Sequence, residues 1–280
     1  MIELLKSHGL GNDYLVLVSG VLPAAGGIRA LCHRTMGPGA DGLLVRVDSD
    51  VADYGLRIFN PDGGEAEKSG NGLRIYARYL VDHAGAPSEF SVETLGGVVR
   101  CAVGESSVSV EMGRATFQPS QIPIDADEAC IEASLKAAGE EFTFTAVGIG
   151  NPHCVIFRPE PLLDGLRWRR WAPVIERHPL FPNRVNVQFV RDLGKQRLEL
   201  RVWERGAGET SASGSSSCAV AAAAVRTGRC EPGRITLFMP GGSLQVDVSP
   251  DYDVVLTGPV EEIGRMVVSS SWCKAHGLTD

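Results

Sequence analysis

The chain alternates short, β-branched-rich runs with clusters of Gly, Pro and Asp. Residues 14–18, 43–47 and 56–59 have this form and predict strands. After Ser69 the texture changes. Gly70-Asn71-Gly72-Leu73-Arg74-Ile75-Tyr76 opens a stretch with apolar residues three and four apart, which predicts an amphipathic helix. Residues 217–226 are Ala-rich and almost wholly apolar, predicting a helix buried on most sides. Strand-like texture returns at 90–103 and 107–112, and again at 234–239, 243–248 and 254–257.

This pattern repeats. Leu56-Arg57-Ile58-Phe59 recurs as Leu200-Arg201-Val202-Trp203, and Ser69-Gly70 as Ser213-Gly214, both at an offset of 144. Gly96-Gly97 recurs as Gly241-Gly242 and Val110 as Val255, both at 145, while Gly9-Leu10-Gly11-Asn12 returns as Gly148-Ile149-Gly150-Asn151 at 139. Five collinear matches at nearly one offset indicate two homologous halves. The expected fold is α+β: two pseudosymmetric lobes, each a mostly antiparallel β-sheet wrapped around one central helix. The N-terminal lobe is expected over 1–115 plus 265–280 and the C-terminal lobe over 116–264, with the active site in a cleft between them. Residues 118–127, acidic and Pro-containing, are the expected crossover.

Composition narrows the function. A net charge of −7 on 280 residues, with no basic block, argues against a nucleic-acid partner. The longest apolar run, 219–225, is too short to span a bilayer, and the first residues carry no leader pattern. A soluble, cytoplasmic protein is expected, with a small molecule as its partner and a homodimer left open. The seven cysteines contain no CxxC pair, so they are expected to be reduced and mostly buried, with no metal site.

The candidate chemistry sits at the repeated helix starts. Ser69-Gly70-Asn71-Gly72 and Ser213-Gly214-Ser215-Ser216 each place small residues where backbone N–H groups lack an internal partner and meet the positive end of the helix dipole. Either turn alone reads as ordinary capping. Their repetition points to anion binding, with a carboxylate the natural ligand. Four of only six asparagines (Asn12, Asn60, Asn71 and Asn151) stand beside Gly or Pro turn residues, where they serve either as turn formers or as readers of amino and carboxylate groups. Glu204-Arg205 pairs opposite charges ahead of a Gly-rich loop. Residues 37–42 fit GxGxxG but precede a strand-like segment, which makes a dinucleotide site improbable.

At His8-Gly9-Leu10-Gly11-Asn12-Asp13, Asn60-Pro61-Asp62-Gly63, Ser69-Gly70-Asn71-Gly72-Leu73-Arg74, Gly150-Asn151-Pro152-His153, Asn186-Val187 and Glu204-Arg205-Gly206-Ala207-Gly208-Glu209-Thr210 the chain resembles the diaminopimelate epimerase family. The resemblance covers nearly the whole chain. It implies a cofactor-independent isomerase of lysine and peptidoglycan biosynthesis, converting LL- to meso-diaminopimelate by proton transfer at the α-carbon. It also implies an α-carboxylate held at Gly70, Asn71, Gly72, Gly214 and Ser215, and a distal end held by Asn60, Asn151, Asn186 and Arg205. Asn12, His153 and Glu204 would line the site. The family's two catalytic cysteines fall at Ser69 and Ser213. A serine hydroxyl is far less acidic than a thiol, so the two-thiol mechanism cannot run as written. Three readings follow: a Cys-to-Ser inactivated form, a serine branch whose base is Glu67, His153, Glu204 or Asp41, and a non-catalytic amino-acid-binding homologue. An isomerase of another small acid on the same fold is a further alternative.

Overall fold

The computed structural model describes residues 2–159 and 166–278. The chain divides into two compact units, Met1–Val110 with Gly258–Asp280, and Glu111–Thr257. Each is a sheet built by the same sequence of pairings.

In the first unit, β1 (Ile2–Gly9) pairs antiparallel with β2 (Asn12–Ser19), and β2 lies parallel to β3 (Leu43–Val47) across helix α1 (Ala25–Cys32). Antiparallel β4 (Tyr54–Phe59) follows and carries the short β5 (Glu65–Ala66). Helix α2 (Gly70–Ala84) then leads to β6 (Glu89–Thr94), parallel to β4. The antiparallel strands β7 (Gly97–Val103) and β8 (Val108–Arg114) follow.

The second unit repeats every step. β10 (Glu140–Gly148) and β11 (Pro152–Phe157) are antiparallel, and β11 is parallel to β12 (Asn186–Asp192) across α3 (Leu166–Glu176). β13 (Arg197–Glu204) is antiparallel to β12 and carries the short β14 (Gly208–Thr210). Helix α4 (Gly214–Arg226) crosses to β15 (Gly233–Met239), parallel to β13, and β16 (Gly242–Val248) and β17 (Asp253–Gly258) close the series. The flanking strand of β10 is β9 (Ala133–Ala137); the same place beside β1 is taken by β18 (Glu261–Val268), which precedes α5 (Ser270–Ala275). The five matched sequence pairs therefore fall on matched structural positions.

Three sequence expectations need correction. The run 90–103 is a hairpin, β6 and β7, because Gly97 takes a φ of 101° that turns the chain after Thr94. Each unit also has a second helix, α1 or α3, since a parallel strand pair requires a crossover. Residues 118–127 lie inside the second unit, where Ile122 and Ile124 join an aromatic core with Phe142, Trp168, Trp171 and Phe189.

Packing explains the two central helices. Helix α2 is buried all round over its first two turns, with Leu73, Ile75, Tyr76 and Ala77 in the core, and Leu80 continues the buried side beyond them. Helix α4 is buried over most of its length, and its run of alanines lets strand backbone approach from several sides. None of the seven cysteines is in a disulfide, and six are buried, Cys218 within α4 among them. Among the described residues no helix is long and apolar enough to cross a membrane.

Candidate active site

The two helix starts are the same construction. Ser69 has φ −138° and ψ 118°, and Ser213 has φ −145° and ψ 123°. Extended backbone at an N-cap aims the side chain back along the helix, and both hydroxyls accept from the amide three residues on. The Gly72 N–H donates to Ser69 Oγ at 3.0 Å, and the Ser216 N–H donates to Ser213 Oγ at 3.5 Å. Of the backbone donors expected for a carboxylate, Gly72 is thus already bonded to the cap. Asn71 in α2, and Gly214 and Ser215 in α4, stand in the first turn, where helix geometry leaves N–H groups without internal acceptors. Ser69 Oγ also lies 3.1 Å from the hydroxyl of Tyr14 on β2.

A chain of side chains supports the first helix start. Asn12 follows the tight turn between β1 and β2, where Gly11 holds a φ of 87° open only to residues tolerant of that region. Its amide N–H donates to Asp41 Oδ2 at 2.8 Å, and its oxygen accepts from the Asn71 amide at 2.9 Å. Asn71 Oδ1 in turn accepts from the Arg74 guanidinium at 2.9 Å. Beneath this row, Asp13 is clamped bidentately by Arg34 and contacts Lys6 Nζ at 3.0 Å. Burial pushes the Asp13 carboxyl up, but the guanidinium of Arg34 and the ammonium of Lys6 outweigh it and hold its pKa below the usual carboxylate range. Asn60 lies in the exposed turn after β4, and Glu67 is exposed just before α2, its carbonyl accepting from the Gly96 N–H.

The second unit places Asn151 at the turn equivalent to that of Asn12, again after a glycine of positive φ, Gly150 at 81°. His153, fully buried on β11, bonds through Nε2 to Asn151 Oδ1 at 2.7 Å and through Nδ1 to Gln188 Nε2 at 3.0 Å. Burial first, then the nearby Arg205 charge, pulls its pKa down to about 3. Asn186 on β12 donates to the Pro152 carbonyl at 3.0 Å and accepts the Arg205 N–H at 2.9 Å. This bond ties the end of β13 to the strand beside it. Glu204 accepts from the Thr210 hydroxyl at 3.2 Å, and the exposed Arg205 side chain reaches the Asn183 carbonyl at 3.4 Å.

Three of the four ionisable groups expected as bases are therefore engaged: His153 is held neutral, Asp41 accepts from Asn12 and pairs with Arg34, and Glu204 is bonded to Thr210. The sequence reading also missed residues. Tyr14 gave no signal because it stands in an ordinary strand pattern. Gln188 was legible in principle, as a lone amide in the apolar run of β12. So was Glu176 at the end of α3, a buried carboxylate that accepts from the Trp203 indole and the Gly206 N–H and fixes the loop after Arg205. Among the described residues no three His, Cys, Asp or Glu side chains gather closely enough to hold a metal ion.

Comparison with known proteins supplies the relationship. The family described as diaminopimelate epimerase matches residues 4–118 and 145–263. A Nostoc sp. protein named diaminopimelate epimerase 2 is 43% identical over 276 residues, covering 95% of each chain. The Moorella thermoacetica diaminopimelate epimerase is 41% identical over 274 residues, covering 93% of this chain and 96% of its own. Among solved structures, a hydroxyproline epimerase from Agrobacterium vitis superposes with a TM-score of 0.69 at 16% identity, covering 99% of this chain and 98% of its own; at that identity it speaks for the fold alone. With both family segments and the twin capped helices in place, the chain belongs to the diaminopimelate epimerase family.

Proposed function

We propose that this protein is a cofactor-independent amino-acid epimerase that takes diaminopimelate and exchanges the proton at its α-carbon, with Ser69 and Ser213 on the proton route. The observation that carries the reading is the matched pair of serine-capped helix starts, alike in dihedral angles and in their hydroxyl-to-amide bond. Family membership, and relatives named diaminopimelate epimerase at about 40% identity, support the substrate class.

In this reading the first-turn amides of α2, and those of α4, are carboxylate-binding positions, where the dipole favours negative charge. Inversion requires a proton to leave one face of the α-carbon and another to arrive on the opposite face. A serine hydroxyl relays such a proton only with a base beside it. For Ser69, Tyr14 is the ionisable side chain within hydrogen-bond distance. Asn12, Asn60, Asn151, Asn186, Glu204 and Arg205 read the remaining amino and carboxylate groups.

A second reading has its own support. The engagement of His153, Asp41 and Glu204 with partners favours a carboxylate-binding protein that does not turn its ligand over. Proton NMR of LL- and meso-diaminopimelate in D₂O separates the two. Loss of the α-proton signal with the protein as it stands establishes the serine site as a working catalyst. Exchange only after Ser69→Cys with Ser213→Cys establishes the silent binder. Failure of both forms to bind or exchange diaminopimelate refutes the substrate assignment.

A further inference from the structure

Gln188 is fully buried in β12 between Val187 and Phe189. A primary amide buried between apolar neighbours is costly unless its hydrogens are bonded. Its Nε2 lies 3.0 Å from His153 Nδ1 and 3.0 Å from Ser216 Oγ, so both of its hydrogens have acceptors. Its Oε1 is buried with no hydrogen-bond partner.

With Gln188 in this orientation, the roles along the row follow from one another. An amide nitrogen only donates, so His153 Nδ1 must accept, and the neutral ring carries its proton on Nε2. Two residues away, Asn151 Oδ1 only accepts, and it lies 2.7 Å from that same Nε2. The two amides thus agree on one tautomer. Turning Gln188 over would reverse every role. Its carbonyl would take a proton from Nδ1, Nε2 would become an acceptor, and Asn151 would have to offer its NH₂ to the ring. That arrangement leaves the Gln188 NH₂ where the buried oxygen now sits without a partner, and a buried orphan donor is tolerated less readily than an under-bonded carbonyl. The pKa of about 3, from burial and the Arg205 charge, keeps the ring neutral, so the tautomer and not the charge carries the information.

We infer that Gln188 is a positioning residue that, through the tautomer of His153 and the 2.7 Å bond to Asn151 Oδ1, commits the Asn151 NH₂ to a ligand and so makes Asn151 a donor for a carboxylate rather than an acceptor for an ammonium. The assignment of Asn151 to a ligand rests on the function proposed above. The polarity of the row does not.

The test reads the tautomer directly. Protein labelled with ¹⁵N in its six histidine rings is observed by long-range ¹H–¹⁵N correlation, with His153 identified by its loss in His153→Gln. Wild-type protein is expected as the Nε2–H tautomer, and Gln188→Glu, whose carboxylate accepts from Nδ1, as Nδ1–H. Gln188→Met introduces no buried charge and is expected to lose the exclusive Nε2–H signal. Calorimetry with meso-diaminopimelate is expected to show affinity weakened about tenfold in Gln188→Glu, the scale of one hydrogen bond to a charged group. An Nδ1–H wild type, an unchanged Nε2–H signal in both variants, or a switched tautomer with unchanged affinity each overturns the inference. Absence of diaminopimelate binding in every form counts against the proposed function, while the ring signals still decide the polarity of the row.

Discussion

The Tyr14 hydroxyl lies 3.1 Å from Ser69 Oγ, joining strand β2 to the capping residue of α2. Ser69 Oγ thereby belongs both to the helix, through the Gly72 N–H, and to the sheet. Tyr14→Phe keeps the ring and removes the hydroxyl, and is expected to cost about 1 kcal/mol in urea unfolding, the typical net value of one hydrogen bond. If Tyr14 supports proton transfer at Ser69, the variant also slows α-deuterium incorporation while leaving calorimetric affinity for diaminopimelate unchanged.

Gly42 guards that contact from below. A Cβ at this position would stand 2.5 Å from Tyr14 Cε1 and 2.6 Å from the Phe59 carbonyl oxygen. The carbonyl is held in the β3–β4 pairing, so Tyr14 must move instead. Gly42→Ala is expected to destabilise by about 1–3 kcal/mol, the cost of overpacking. It should also reproduce the exchange defect of Tyr14→Phe.

Asn71 is the centre of the row Asp41–Asn12–Asn71–Arg74. Asn71→Ala removes the acceptor of Nη2 in the fully buried Arg74 and a donor to Asn12 together. The expected loss is about 1–3 kcal/mol, as for leaving a buried polar partner unsatisfied. Urea unfolding measures it, and Asn12→Ala in the same background should add less than its own single effect, because the two share one bond.

Acid stability follows from His153 and Asp13 with distinct windows. The folded pKa of His153 lies at about 3 against about 6.5 unfolded, so between these values the unfolded chain binds the extra proton. Stability is therefore full above about pH 6.5 and falls on acidification, by up to about 1.4 kcal/mol per pH unit for this one proton. Asp13 is held below its ordinary pKa, so its contribution is intact above about pH 4 and lost only as pH falls further. Urea midpoints at pH 7.5, 6 and 5 should decline in the wild type and flatten in His153→Gln. A flat wild-type profile over that range would contradict a neutral, buried His153.

Single cysteines should separate the two helix starts. A thiolate at a helix N-terminus has a lowered pKa and serves as a base where the hydroxyl does not. If Ser69 and Ser213 both stand on the proton route, Ser69→Cys and Ser213→Cys will each wash out the α-proton of one stereoconfiguration, and not the same one. Identical preferences in D₂O exchange would refute separate roles for the two serines.

The doubled architecture, both helix starts and most strands are legible along the chain, because they depend on residues close together in it. Apolar period marks a strand or helix, and a serine before Gly and small residues marks a cap. The offset of 144 between Ser69 and Ser213 then tied the halves together. Family motifs brought Asn12, Asn71, Asn151, Asn186 and Arg205 forward as well. What each of them is bonded to emerges only when distant strands are paired. Tyr14 meets Ser69 across 55 positions and Gln188 meets His153 across 35, distances over which local pattern carries no register. The protonation of His153 likewise had no sequence signal, since the burial and the Arg205 charge that pull its pKa down exist only once β11 and β12 are paired and the end of β13 is in place.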